Sequence, residues 1–326
     1  MLLRVSRSSN PSLPIILLIL SLVFWFNGFT EVSLNNQIYH FSPFYDLIKL
    51  LPQQAGIIQS LLGILALWFV AFSLIRINSR FIIIQERTYL PVLFYFVMIF
   101  AITKINYLHP ALIAAIFISI ALERLFHSNK NENLSYNPFD AAFFITLAAF
   151  FYFPAIFFNV IVWLALLIMR PFYWREWVYS IIGMFVPSFI ILSIFYLTGT
   201  NFQYILKSAK LLFTVKNDIS ITITDALFLS FCLVMLLIAS AHMIAMMGKF
   251  KILTRKAYNL FLALFLVSVV VYIFVPSVGL EIIFIGALPI SQLFTNYYLN
   301  APATRFRETV FDLFIIFFVL TQLIKQ

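Results

Sequence analysis

Two segments of the chain carry residue types that could act on a phosphate-linked substrate. Glu31, His40 and Asp46 lie in one segment, and Lys207 and Lys210 lie in a second. A carboxylate can take the proton from an attacking hydroxyl, and a lysine ammonium can neutralise a phosphate. Glu31 and Asp46 are therefore the candidate catalytic bases, and the other three are candidate ligands of the substrate or its phosphate. The alternative interpretation is a pair of solvated loops with ordinary surface charges.

A short connection between two apolar runs adds two polar candidates. Lys104 and His109 bracket a turn that contains Asn106 and Pro110. Because this turn is short, both side chains must lie at the same mouth of a helix bundle, and we interpret them as further candidate ligands of a substrate phosphate. Alternatively, Lys104 extends its ammonium from the edge of the apolar layer to the interface and has no functional role.

The most distinctive string of the chain is Arg-Pro-Phe-Tyr-Trp-Arg-Glu-Trp at residues 170–177. It places two arginines, four aromatic residues and one carboxylate within eight residues. This composition favours an interfacial anchor on the cytoplasmic side, with Glu176 paired to an arginine, over a contact with a lipid headgroup or a partner. The proposed anchor residues are Arg170, Trp174, Arg175, Glu176 and Trp177.

Other chemistry finds little support in the sequence. A single cysteine, Cys232, excludes a disulfide framework and a cysteine-based metal site. Neither a glycine-rich phosphate loop nor an HExxH motif is present, so we expect no cofactor and no metal. His242 lies within an apolar run and is interpreted as a neutral imidazole bonded to a neighbouring helix, with a proton carrier as the alternative. Glu281 is interpreted as a carboxylate at the rim of a helix.

The amino-acid composition indicates the class of protein and therefore the kind of secondary structure that positions these residues. Of the 326 residues, 63% are hydrophobic and 10% are charged, and the mean hydropathy is +1.02. Soluble domains are about 45–50% apolar and about 25% charged, so a water-soluble globule is excluded. The sequence predicts an all-α, polytopic transmembrane helix bundle that forms a single integral membrane domain over residues 1–326 and has no soluble domain.

Continuous apolar runs predict about eleven spans, the first near residues 13–29 and the last near 309–324. A span needs about 20 residues to cross about 30 Å of hydrocarbon. The region 140–169 is too short for two full spans and contains Pro154. Since arginines flank both of its ends, we expect an even number of crossings: two short helices, or a re-entrant hairpin, that turn at residues 152–154.

The basic residues predict the orientation of the bundle. With the N terminus in the cytoplasm, fifteen of the 21 lysines and arginines, including all eleven arginines, lie on the cytoplasmic side. The net charge of +9 is therefore distributed over helix ends and indicates orientation rather than nucleic-acid binding. Residues 30–55 and 198–224 are both predicted to lie on the outer side.

The string from Asn137 to Pro154, together with residues 170–177, resembles an uncharacterised family of polytopic inner-membrane proteins of Bacteroidota. This resemblance implies a setting in the bacterial inner membrane and supplies no catalytic residues. The layout is more loosely similar to the membrane part of C-superfamily lipid-sugar-dependent glycosyltransferases. Those enzymes have a first outer loop with an acidic base, which is the place of Glu31 here.

Three functional hypotheses follow. The first is a non-catalytic subunit or scaffold in a cell-envelope process, because catalytic motifs are absent and the connecting segments are small. The second is an enzyme that uses a polyprenyl-phosphate sugar on the outer face, which requires a lipid-sized groove open to the outer leaflet. A transporter is the third. The expected partners are the lipid bilayer, a polyprenyl-phosphate lipid or other membrane proteins, without nucleic acid.

Overall fold

The computed structural model describes residues 12–25, 44, 56–84, 86, 88–103, 105–128, 135–170, 172–197, 210–215, 222–302 and 305–325. Across these ranges the regular structure is entirely helical. Residues 210–214 are helical, and the described ranges hold eleven longer α-helices. These are α1 (Ser12–Trp25), α2 (Gly56–Phe81), α3 (Leu90–Ile102), α4 (Pro110–Ser128), α5 (Asn137–Phe151), α6 (Val160–Met169), α7 (Trp174–Leu197), α8 (Ile223–Met246), α9 (Ile252–Phe274), α10 (Ile283–Asn300) and α11 (Arg305–Lys325).

Each of the eleven predicted apolar runs overlaps one of these helices, and the prediction of an all-α membrane bundle is confirmed. Six helices of the described ranges are long and apolar enough to cross a membrane, namely α2, α4, α7, α8, α9 and α10. The apolar helices α1, α3, α5 and α6 are shorter, and α11 begins with several charged residues. The chain is therefore a multi-span membrane protein, and the number of eleven full crossings remains a prediction.

The region 140–169 forms two short helices, as the charge pattern predicted. Helix α5 ends at Phe151, Tyr152 is extended, and a 3₁₀ turn at Phe153–Asn159 leads into α6. Pro154 lies at the start of this turn, where its missing amide hydrogen leaves no bond unmade. The backbone amide of Ser135 before α5 and the guanidinium of Arg170 after α6 both bond to Glu176. The chain therefore returns to the end of the bundle from which it started.

One end of the bundle, named the arginine end here, collects the eight arginines of the described residues. Arg76 and Arg80 pair with Glu123, which joins the last turns of α2 and α4. Arg124 lies 3.5 Å from the Asp140 carboxylate near the start of α5. The remaining arginines follow α6 or lie in the first turns of α7, α9 and α11, and these are Arg170, Arg175, Arg255, Arg305 and Arg307.

The opposite end, named the Tyr152 end, holds the described parts of both long connecting segments. The amide of Phe44 donates to the carbonyl of Phe150 at 3.1 Å. The ring of Phe213 contacts the ring of Phe157, with 6.4 Å between centroids. Both contacts are with residues beside the Tyr152 turn, so the two segments meet the bundle at the same end.

Helix α10 forms the centre of the bundle. It is buried almost all round, whereas α7 exposes most of its length. The Tyr298 ring of α10 stacks on Phe94 of α3, with 5.3 Å between centroids, and Phe294 meets the same Phe94 ring edge-on. Such aromatic contacts bury large surfaces in defined geometries. The helices that flank α10 are therefore held at fixed positions around it.

Candidate functional site

A groove lies where two consecutive helices diverge over the central one. Helices α8 and α9 both pack on α10 and make few contacts with one another. The gap between them is a half-open cavity of about 330 Å³ with α10 at its floor and α3 behind it. Its lining includes Leu280 and Ile282 at the start of α10, which places the groove in the half of the bundle next to the Tyr152 end.

Small residues on the facing helices create this space. Gly286 of α10 forms part of the floor, and a Cβ atom built there would lie 3.7 Å from the Cβ of Ser268 on α9. The hydroxyl of Ser268 donates to the carbonyl of Leu264, and the hydroxyl of Ser230 donates to that of Leu227, both at 2.8 Å. Since both hydroxyls bond to their own helix, the wall presents almost only hydrocarbon.

Glu281 lies beside the groove, between the lining residues Leu280 and Ile282. Its Oε1 accepts a hydrogen bond from the amide of Gly279 at 2.9 Å and one from the hydroxyl of Tyr152 at 3.4 Å. The sequence suggested an ordinary rim carboxylate, but the side chain is buried. Glu281 therefore ties the start of α10 to the turn between α5 and α6.

Most of the candidate residues for catalysis and phosphate binding lie outside the described residues. These are Glu31, His40, Asp46, Lys104 and Lys207, and their roles stay predictions. Lys210 is described, exposed and located at the Tyr152 end, because Phe213 of the same helical stretch contacts Phe157. Its role as a phosphate ligand also stays a prediction.

His109 is buried in the interior rather than open to a substrate. Its Nδ1 accepts a hydrogen bond from the amide of Ala111 at 3.1 Å, which caps the start of α4. Its ring stacks on Phe284 of α10, with 6.1 Å between centroids. An Nδ1 that accepts a hydrogen bond carries no proton, and burial lowers the pKa of His109 to about 3. The imidazole is therefore neutral and provides no cation for a phosphate.

The string at residues 170–177 divides into a buried and an exposed part. The buried part is an ion pair, with 3.1 Å between Arg170 Nη1 and Glu176 Oε1. Arg170 Nη1 also donates to the carbonyl of Ser128 at 3.0 Å, and the amide of Ser135 donates to Glu176 at 3.0 Å. One pair of charges thus joins the ends of α4, α5, α6 and α7.

The exposed part of this string is aromatic. The Arg175 guanidinium lies over the ring of Trp174, 5.9 Å from its centroid, and Trp174 is 63% exposed. The rings of Phe172 and Trp177 are 5.9 Å apart. An aromatic and cationic surface of this kind is typical of a membrane interface, where one side of each ring is wet and the other is in lipid.

His242 packs against α10 rather than bonding across to it. Its ring meets Tyr297 edge-on with 5.5 Å between centroids, and its Nδ1 has no hydrogen-bond partner among the described residues. The described ranges also hold no group of three His, Cys, Asp or Glu side chains that could bind a metal ion. The groove itself was not predicted. It depends on small residues that face one another from different helices, and the sequence does not show which helices pack together.

Comparison with known proteins places the chain among proteins without an assigned activity. Neither a curated protein nor a solved structure matches it. The model of a family of unknown function, DUF6427, matches residues 47–326. Because this match covers most of the chain, the protein belongs to the DUF6427 family.

Proposed function

We propose that this protein is a non-catalytic subunit or scaffold of a cell-envelope process in the bacterial inner membrane. The observation that carries the proposal is that buried ionisable side chains hold the helices together. Arg170, Glu176 and Glu281 join helix ends through hydrogen bonds. A general acid or base needs an atom that can reach the substrate. The groove offers hydrocarbon instead, so it can hold a ligand without reacting with it.

A complementation experiment tests this proposal. A host strain that lacks the chain receives either the wild type or the double variant Glu31→Gln/Asp46→Asn, and protein levels in the membrane are matched by immunoblot. A subunit without catalytic carboxylates predicts that both versions restore the envelope phenotype, including normal surface glycans. Loss of restoration by the double variant at equal protein level would refute the non-catalytic assignment.

The second candidate is a transferase that uses a polyprenyl-phosphate sugar on the outer face. One observation favours it: Phe44 and Phe213 contact the Tyr152 end, and the groove lies in the same half. The described residues Phe44 and Phe213 thus lie at the end near which a lipid would bind, and this supports a site that the predicted residues Glu31, Asp46 and Lys207 would complete. Sugar transfer by the purified chain alone, lost in Glu31→Gln/Asp46→Asn, would establish this function instead of the first.

A further inference from the structure

We propose that the groove between α8, α9 and α10 binds one acyl chain of a zwitterionic phospholipid from the leaflet at the Tyr152 end. The inference names the ligand class of the proposed subunit and rests on that function for its biological role. Lipid binding is measured directly and needs no assay of the protein's function. A failure to bind lipid would therefore be distinct from a failure of the complementation experiment.

The position of the groove indicates that its occupant comes from the membrane. Its walls belong to α8, α9 and α10, which are all long enough to span a bilayer. On α8 the lining residue Leu233 is more than half exposed, and on α9 the lining residue Val269 is partly exposed. The opening is thus surrounded by apolar side chains. A cavity with such a rim opens towards lipid rather than water.

The chemistry of the wall indicates a hydrocarbon. The hydroxyls of Ser230 and Ser268 already donate to carbonyls of their own helices, and the thiol of Cys232 is buried. The other hydroxyl of the lining belongs to Tyr272, whose ring is largely apolar. Polar atoms contribute a small part of the lining surface. A partner helix is disfavoured, because helices associate in lipid through close backbone contact and interhelical hydrogen bonds rather than through apolar surface alone.

The charges beside the groove favour a zwitterionic lipid over a polyprenyl phosphate. Lysine, arginine and histidine are absent from the described lining residues. The buried side chain of Glu281, next to the lining, supplies no positive charge either. A phosphate monoester with two negative charges would therefore find no cation at the lining to neutralise it, whereas a phospholipid headgroup carries its own ammonium.

Gly286 provides the variant that tests the proposal. A leucine at this position would project into the groove, and its first carbon would meet Ser268 at an ordinary contact distance. Ser268→Leu fills the same space from α9 and serves as a second variant if Gly286→Leu does not fold. The matched control is Gly248→Leu, because no atom lies within 4 Å of a Cβ built at Gly248.

The experiment uses the full chain in nanodiscs that contain phosphatidylethanolamine with a photoreactive diazirine on one acyl chain. After irradiation, labelled residues are mapped by mass spectrometry. We expect labels on lining residues such as Leu236 and Ile290 in the wild type and in Gly248→Leu. In Gly286→Leu the labelling should fall about tenfold, since losing the burial of even two methylene groups weakens binding by that factor.

Lipid at the exposed face of α7 provides the internal reference. Phe185 and Phe189 are 69% and 73% exposed there and should be labelled equally in all versions. The proposal is overturned if the groove is labelled no more than this face, or if both groove-filling variants are labelled like the wild type. It is also overturned if unlabelled polyprenyl phosphate at low molar ratio displaces the probe, because the occupant would then be that lipid.

Discussion

At the scale of single residues, the buried pair of Arg170 and Glu176 is the contact with the clearest consequence for stability. Removal of one partner leaves the other charge buried and unpaired, which costs about 3–5 kcal/mol. We therefore expect Arg170→Gln and Glu176→Gln to lower the melting temperature of the detergent-solubilised protein by several degrees. Circular dichroism at 222 nm measures the loss of helix on heating.

The control for this prediction is Arg175→Gln in the same string. Its guanidinium is exposed over Trp174 and has no buried partner among the described residues, so the melting temperature of this variant should stay close to that of the wild type. Replacement of both charges, as in Arg170→Met/Glu176→Leu, should recover part of the loss. Equal melting temperatures for Arg170→Gln and Arg175→Gln would show that the pair does not join the helices as described.

The same string shows how far residue-level reasoning reaches. Its composition predicted an arginine partner for Glu176, because two arginines lie within six residues of it. The structure selects Arg170, since this residue ends α6 and can also reach Ser128 of α4. Proximity along the chain would favour Arg175, which directly precedes Glu176. Which arginine pairs with Glu176 depends on which four helix ends meet there, and a single sequence does not reveal this.

At the scale of helices, the contact between α5 and α7 depends on the absence of one side chain. A Cβ atom on Gly183 would collide with the carbonyl oxygen of Phe139 and lie 3.0 Å from its Cα atom. We expect Gly183→Val to separate the two helices and lower the melting temperature more than Gly248→Val, which meets open space. Small residues allow such close approach in membranes. Similar melting temperatures for the two variants would contradict this contact.

The helices could be predicted from the sequence, but the pairs of helices that pack against each other could not. An apolar run is a local property, so each of the eleven runs appears as a helix. The charges flanking 140–169 predicted an even number of crossings, and Pro154 predicted a turn at residues 152–154. The groove depends instead on α8 and α9 both packing on α10. Helices that are apolar on every face carry no periodicity to indicate which side meets a neighbour. For the same reason the burial of Glu281 was not predicted.

At the scale of the whole molecule, the arginines of the described residues lie at one end and the groove lies towards the other. The charge rule predicts that the arginine end faces the cytoplasm. The groove would then open into the outer leaflet, and a bound phospholipid would come from that leaflet. The charge asymmetry and the position of the groove together therefore predict that the protein binds lipid in the outer leaflet.

Cysteine accessibility in intact cells tests this orientation. In a Cys232→Ala background, Ser42→Cys and Thr200→Cys are expected to react with a membrane-impermeant maleimide before permeabilisation, because both positions are predicted to lie outside. Gly248→Cys, at the arginine end between α8 and α9, should react only after permeabilisation. If Ser42→Cys and Thr200→Cys react under different conditions, the two long segments lie on opposite sides. A transferase site built from both segments would then be impossible, while the proposal that the groove binds an acyl chain would be unaffected.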